Sequence, residues 1–175
     1  MKKYVVISLM SMLVMTVLTS CQMNDKKNKN SNKKEVEMEH VEWSKNANIY
    51  EVNIRQYTKE GTINAFREHL PRLKEMGVDI LWLMPVQPIG EMNRKGSLGS
   101  YYSVKDYKAV NPEFGTMQDV KDLVNEAHEM GMYVILDWVA NHSSWDNNWA
   151  FEHPEYYVKN EDGTFHSPYD WTDVI

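Results

Sequence analysis

Tyr133-Val134-Ile135-Leu136-Asp137-Trp138-Val139-Ala140-Asn141-His142 places a carboxylate at the end of a short apolar run, with an amide and an imidazole four residues on. A strand core has no use for Asp137, and an ordinary turn does not call for Asn-His directly behind an apolar stretch. Polar groups gathered at the carboxyl end of a buried strand are how α/β folds build binding and reaction sites. The same residues also fit a buried carboxylate with a local partner followed by a turn, and the stretch by itself leaves both readings open. The remaining histidines read as structural: His69 and His128 fall within helical patterns, His153 and His166 within an aromatic-rich segment, and no pair has zinc spacing.

The elements that must position this cluster are legible on either side of it. Asn48–Ile54 alternates apolar and polar residues and predicts a first strand. Phe66, Leu70, Leu73 and Met76 recur at helical spacing behind Thr62 or Asn64 as N-cap, with Pro71 expected to kink or split the helix and Gly77 to stop it. Val78–Met84 predicts a second strand, closed by Pro85 and Pro88. A long loop from Val86 to about Gly115 follows. Thr116 with Asp119 then forms a capping-box start for a helix whose face is Val120, Leu123, Val124 and Ala127, and Gly131 ends it before the third strand. Glu75-Met76-Gly77-Val78 and Glu129-Met130-Gly131-Met132 mark equivalent helix-to-strand junctions. Strands this apolar, alternating with helices, predict a parallel sheet covered by helices. An open doubly wound sheet and a (β/α)8 barrel share that pattern, but no G-x-G-x-x-G or Walker loop is present. A barrel needs about 250 residues, so a barrel reading assigns this chain three strands of eight, with an unpaired edge and uncovered apolar surface. After Ser143 the texture becomes irregular and aromatic, as in a small inserted subdomain, with Asp162-Gly163 as a hairpin turn.

Composition narrows the partners. Residues 1–34 carry a net charge of +6 and residues 35–175 a net −12, together the −6 of the whole chain. An acidic folded part with no basic stripe argues against nucleic acid. All six tryptophans and nine of ten tyrosines lie beyond residue 40; rings in this number suit either a packed core or a neutral polyhydroxylated ligand that stacks on them. At the amino end, Lys2-Lys3, the apolar stretch Tyr4–Leu18 and Leu18-Thr19-Ser20-Cys21 have the order of an export signal, too short for a membrane span. The single cysteine excludes a disulfide framework, and Leu-Thr-Ser-Cys resembles the bacterial lipobox. The expectation is a signal peptide over residues 1–20, then over 21–40 a lipidated Cys21 and a flexible Lys/Asn/Ser-rich tether, leaving the product exported and lipid-anchored to a bacterial membrane, at the outer membrane or cell surface.

The chemistry-bearing stretch also resembles a known family. Asp137-Trp138-Val139-Ala140-Asn141-His142 is similar to the first signature region of the α-amylase family, glycoside hydrolase family 13. Leu83-Met84-Pro85-Val86, Tyr102-Ser103-Val104-Lys105-Asp106-Tyr107 and Asn111-Pro112-Glu113-Phe114-Gly115-Thr116 resemble the family's second-strand end and the stretch that follows it. His153-Pro154-Glu155-Tyr156-Tyr157-Val158 and Asp170-Trp171-Thr172-Asp173 resemble the start of its inserted B domain. These stretches fall in order across residues 46–175. The resemblance implies the N-terminal part, residues 41–142, of a (β/α)8 catalytic barrel, with residues 143–175 beginning the B domain.

Its implications for single residues are specific. Asp137 matches an aspartate that supports the catalytic centre through hydrogen bonds, neither the nucleophile nor the proton donor. Tyr102 matches the ring that stacks on the sugar at the cleavage subsite, and His142 the histidine that hydrogen-bonds that sugar. Asn141 matches a ligand to a structural Ca²⁺ between barrel and B domain, an ion that takes about 6–8 oxygens. Where many members have His-Gly before the stacking tyrosine, this chain has Ser100-Tyr101. A retaining glycosidase needs two carboxyl groups about 5–5.5 Å apart, which the family places after its fourth and fifth strands. The expectation is therefore a fragment of an α-amylase-like hydrolase of α-1,4-glucans such as starch and maltooligosaccharides, without hydrolytic activity by itself. A non-catalytic glucan-binding surface lipoprotein and an α-glucosidase or transglycosylase of the same family stay open beside it.

Overall fold

The computed structural model describes residues 39–170 and 172–175. The expected signal peptide, Cys21 and most of the tether lie outside the described residues, as does Trp171. Three parallel strands, β1 (Ile49–Val52), β2 (Ile80–Leu83) and β3 (Tyr133–Leu136), lie side by side in chain order. Ile49, Ile80 and Tyr133 share one rung, and Val52, Leu83 and Leu136 another. Main-chain bonds carry the ladder beyond the strand ends: Met84 N–H donates to Val52 O at 3.0 Å and Asp137 N–H to Leu83 O at 2.9 Å. Sequential parallel neighbours joined by helical crossovers give the first three strands of a partial (β/α)8 barrel, as expected.

The first strand is shorter than its alternation predicts. It ends at Val52, and Ile54 opens a short helix, α1 (Ile54–Tyr57), because Gln56 and Tyr57 N–H both fold back onto Asn53 O, at 3.1 and 2.9 Å. Ile54 is buried all the same, from a helical turn rather than from the sheet. The following helix is split as Pro71 demands. α2 (Ile63–Arg67) starts at Thr62, whose side chain accepts from Ala65 N–H, and α3 (Leu70–Glu75) carries Pro71 in its first turn, where a missing N–H is harmless. Phe66, Leu70 and Leu73 are fully buried, but Met76 is 54 % exposed. Met76 is the C-cap of α3 and has left the apolar stripe.

The helix α4 (Met117–Glu129) has the reciprocal capping box expected of Thr116 and Asp119, and it buries Val120, Leu123 and Ala127. Gly131, at φ 71°, turns the chain into β3. One apolar cluster of Val52, Phe66, Leu70, Leu73, Leu81 and Leu123 joins the sheet to these helices. The third strand carries the uncovered apolar surface that the barrel reading predicts: Tyr133, Ile135 and Leu136 are 43, 43 and 51 % exposed. Among the described residues β3 has a strand partner on one side only; Val134 packs against the core, and Tyr133 stacks on Trp43 with ring centroids 3.9 Å apart. This is the open edge that three barrel strands entail.

The segment between β2 and α4 has no regular helix or strand, yet it is tied down throughout. Lys105 N–H donates to Pro88 O, Asn111 N–H to Val86 O and Ile63 N–H to Phe114 O, each at 2.8 Å. The segment after Ser143 forms α5 (Asn148–Glu152), a 3₁₀ turn at Pro154–Tyr156 and the expected hairpin, with Lys159 bridging Phe165 and Gly163 at φ 84°. It then returns on itself, since Ser143 and Ile175 exchange main-chain bonds of 3.0 and 2.9 Å. Gly90 is where this insert meets the long loop: a Cβ there would lie 2.2 Å from Ser144 Cβ, so only glycine permits the approach.

Candidate functional site

Asp137 is the first residue past β3. Its N–H is held by Leu83 O, so the carboxylate projects from the carboxyl end of the sheet. Tyr102 comes from the long loop, and its hydroxyl donates to Asp137 Oδ2 at 2.8 Å. Two residues singled out separately in the sequence, 35 positions apart, thus form one unit. Burial pushes the Tyr102 hydroxyl up to about 12, with the Asp137 hydrogen bond and charge, and the Glu51 charge, adding to it. The raised value keeps the Tyr102 hydroxyl protonated and donating to Asp137 into the alkaline range, and the bond restrains the ring.

Asn141 and His142 form a second pair. Asn141 Nδ2 lies 3.2 Å from His142 Nδ1. As amide donor, Asn141 leaves the imidazole proton on Nε2, where it can serve a ligand hydroxyl. The backbone beneath is held by Tyr107, whose hydroxyl donates to His142 O at 2.8 Å and reaches Val139 O at 3.4 Å. Tyr107 in turn packs on Trp149, ring centroids 5.1 Å apart. Residues 138–142 thus follow the insert as well as the sheet. They border a cleft of about 340 Å³ whose wall includes Trp138, Asn141, His142, Trp149, Tyr156 and His166. Aromatic faces interspersed with amide and imidazole groups match the amphipathic surface of a sugar, apolar on its C–H face and hydrogen-bonding at its edge.

Sequence reading missed three contributors. Tyr107 lay inside a quoted motif without a role of its own. Glu51, on β1, adds to the charge felt by Tyr102. His166 reads as structural in the sequence and does pair with Asn160 Oδ1, at 3.0 Å, yet it also lines the cleft. The sequence carried no signal for Glu51, which is exposed at a polar position of the alternation in β1. His69 and His128 take the structural places expected of them, against Tyr57 and Tyr133.

A calcium ion is not accommodated by these residues alone. Among the described residues no group of three or more His, Cys, Asp or Glu side chains converges. Asn141 offers one amide oxygen against the 6–8 that Ca²⁺ takes.

Three parallel strands with a hydroxyl-and-carboxylate pair at their carboxyl ends define a (β/α)8-type scaffold with its site in the usual place for that fold. The family model of the alpha-amylase catalytic domain matches residues 22–173, and the chain belongs to that family of glycoside hydrolases and related transferases. It is similar to a crystal structure of an alpha-amylase from Lactobacillus plantarum, with a TM-score of 0.70 and 50 % identity over 72 % of this chain and 30 % of that one. A noncanonic maltogenic alpha-amylase from Thermotoga neapolitana superposes with a TM-score of 0.70 at 40 % identity, covering 74 % of this chain and 31 % of that enzyme. By sequence, the trehalose-6-phosphate hydrolase of Bacillus subtilis (strain 168) is 33 % identical over 119 residues, which is 65 % of this chain and 20 % of that enzyme. The chain spans about a fifth of the length of the curated relatives it matches.

Proposed function

We propose that this chain is the sugar-recognising N-terminal part of a retaining glycoside hydrolase that acts on α-1,4-glucans, starch and maltooligosaccharides among them. The observation that carries the reading is the Tyr102–Asp137 bond at the carboxyl end of the sheet. Asp137 anchors the Tyr102 hydroxyl, so the ring presents a fixed face to a pyranose, and His142 Nε2–H is the donor for one of its hydroxyls. None of these groups is a nucleophile or an acid/base. Double displacement requires two further carboxyl groups about 5–5.5 Å apart. The resemblance assigns those to strands beyond the three present, so the 175 residues bind glucan without cleaving it.

The purified chain is expected to release no reducing ends from soluble starch or maltoheptaose. A longer polypeptide in the same reading frame, of the relatives' length, is expected to release maltooligosaccharides with retained anomeric configuration. Turnover by the 175 residues would refute the division of labour; glucan affinity without turnover in the longer polypeptide would establish a non-catalytic binding protein instead. Cleavage confined to α-1,6 bonds or to terminal glucose would move the assignment to the glucosidase branch, which the alternatives above include.

The amino-terminal stretch supports a lipid-anchored, exported product, because Cys21 is the chain's single cysteine and follows Leu-Thr-Ser behind an apolar segment. Labelled palmitate should be incorporated by a bacterial host expressing the wild-type sequence and not by one expressing Cys21→Ser. Equal labelling of the two would remove the lipid anchor from this reading.

A further inference from the structure

Arg55 lies in α1, three residues past the end of β1, and its side chain crosses to the loop that delivers Tyr102. Nε donates to the Tyr101 hydroxyl at 2.7 Å, Nη1 to Leu98 O at 3.2 Å and Nη2 to Gly99 O at 3.4 Å. The guanidinium carbon also stands 4.0 Å from the centroid of the Tyr101 ring. One planar group thus engages residues 98–101 by three donors and by its face, which a lysine ammonium, a point charge with no plane, does not reproduce.

At its end the segment Arg55 grips has Tyr101 packed against the core, but its tip is thinly supported. Met92 and Leu98 are 48 and 59 % exposed, and residues 95–98 are exposed throughout. Few buried contacts leave such a segment at the low-stability end of a fold. Directly beyond the grip, Tyr102 N–H donates to Ser100 Oγ at 3.2 Å, and the Tyr102 hydroxyl reaches Asp137. The far side of the same stretch is pinned by Ser103, whose hydroxyl donates to Asp173 O at 3.0 Å. Tyr102 is therefore suspended between the insert on one side and Arg55 on the other.

We propose that Arg55 is a positioning residue for glucan recognition, holding residues 98–101 against the end of β1 so that the Tyr102 ring is presented at the site. The proposal rests on Tyr102 being a sugar contact. Arg55 itself touches no ligand; its effect passes through Tyr101 and the backbone of the loop. A ring displaced by about 1 Å loses much of its contribution to a bound ligand.

The test uses the 175-residue chain labelled with ¹³Cζ-tyrosine, with maltoheptaose affinity measured by calorimetry. Arg55→Ala and Arg55→Lys are both expected to weaken maltoheptaose about tenfold and to move the Tyr102 ¹³Cζ resonance, while the other tyrosine signals remote from the loop keep their positions. Tyr101→Phe, which retains the ring but not the hydroxyl, should fall between these and wild type. A merely structural role for Arg55 would lower the melting temperature without selectively moving Tyr102. If Arg55→Lys retains wild-type affinity and an unmoved Tyr102 resonance, the positioning role is overturned. If Tyr102→Ala binds maltoheptaose as wild type does, or wild type does not bind it, the sugar-contact reading itself fails, whatever Arg55 does.

Discussion

Asp137→Ala should release the Tyr102 hydroxyl and weaken glucan binding by at least about tenfold, because a misplaced contact at a site costs far more than its own bond. The substitution removes the acceptor 2.8 Å from the hydroxyl while leaving the Asp137 main-chain bond to Leu83 O intact, so the sheet end stays in place. Tyr102 should then titrate below its present value of about 12, yet above an ordinary tyrosine, because burial is the larger cause of the rise and remains. The sign of the pH dependence follows. A folded-state pKa raised above the unfolded value, here about 10, contributes stability that is complete below about pH 10 and is lost as pH climbs through about 12. Alkaline unfolding curves of wild type and Asp137→Ala should accordingly differ in that window, with the variant showing the smaller loss between the two pH values. Equal curves and equal maltoheptaose affinity would show that the pair is incidental. Asp137→Asn is the sharper comparison for charge, since an amide oxygen still accepts from the hydroxyl.

Phe66→Ala is expected to be the most damaging single change to the fold. Phe66 is fully buried on α2, meets Tyr57 edge-to-face with centroids 4.8 Å apart, and belongs to the one cluster that joins the sheet to its helices. Removing a buried phenyl ring costs about 3–5 kcal/mol, transfer and cavity together. A whole domain is stable by only about 5–15 kcal/mol, and here the exposed edge of β3 adds nothing to that margin. The expected outcome is a chain that is unfolded or melts without cooperativity at room temperature, read by circular dichroism. A cooperative melt within a few degrees of wild type would mean that the cluster is not the structural centre. Met76→Ala serves as the contrast: it lies outside the cluster and should change the melting temperature little.

The two substitutions probe different layers of the same molecule, and the family resemblance bears on only one of them. Tyr102, Asp137, Asn141 and His142 could be named from motif alone, but a motif does not say which of them meet. Tyr102 and Asp137 are bonded; Asn141 contacts its neighbour His142; and Tyr107 holds the backbone of His142 from 35 residues away. Arg55 reaches 46 residues along the chain to Tyr101. No periodicity or spacing marks such a partner, because a side chain's reach is set by the path of the intervening loop, and that path follows from packing.

Local chemistry, by contrast, was written in the chain itself. The capping box of Thr116 and Asp119, the break at Pro71, the turns at Gly77 and Gly131 and the hairpin at Asp162-Gly163 each depend on a few consecutive residues whose backbone preferences do not need the rest of the molecule. The parallel β/α alternation was legible for the same reason, since apolar period and strand length are properties of the segment. Burial was not. Ile54 is buried from a helical turn although its alternation assigned it to the strand, Met76 is exposed although its spacing placed it in the stripe, and β3 is exposed although it is as apolar as β2. Whether an apolar residue is covered depends on what lies opposite it, and only the tertiary structure supplies that neighbour. The sequence by itself determined the elements, their order and the residues able to do chemistry; the fold decided which of those residues face one another across the end of the sheet.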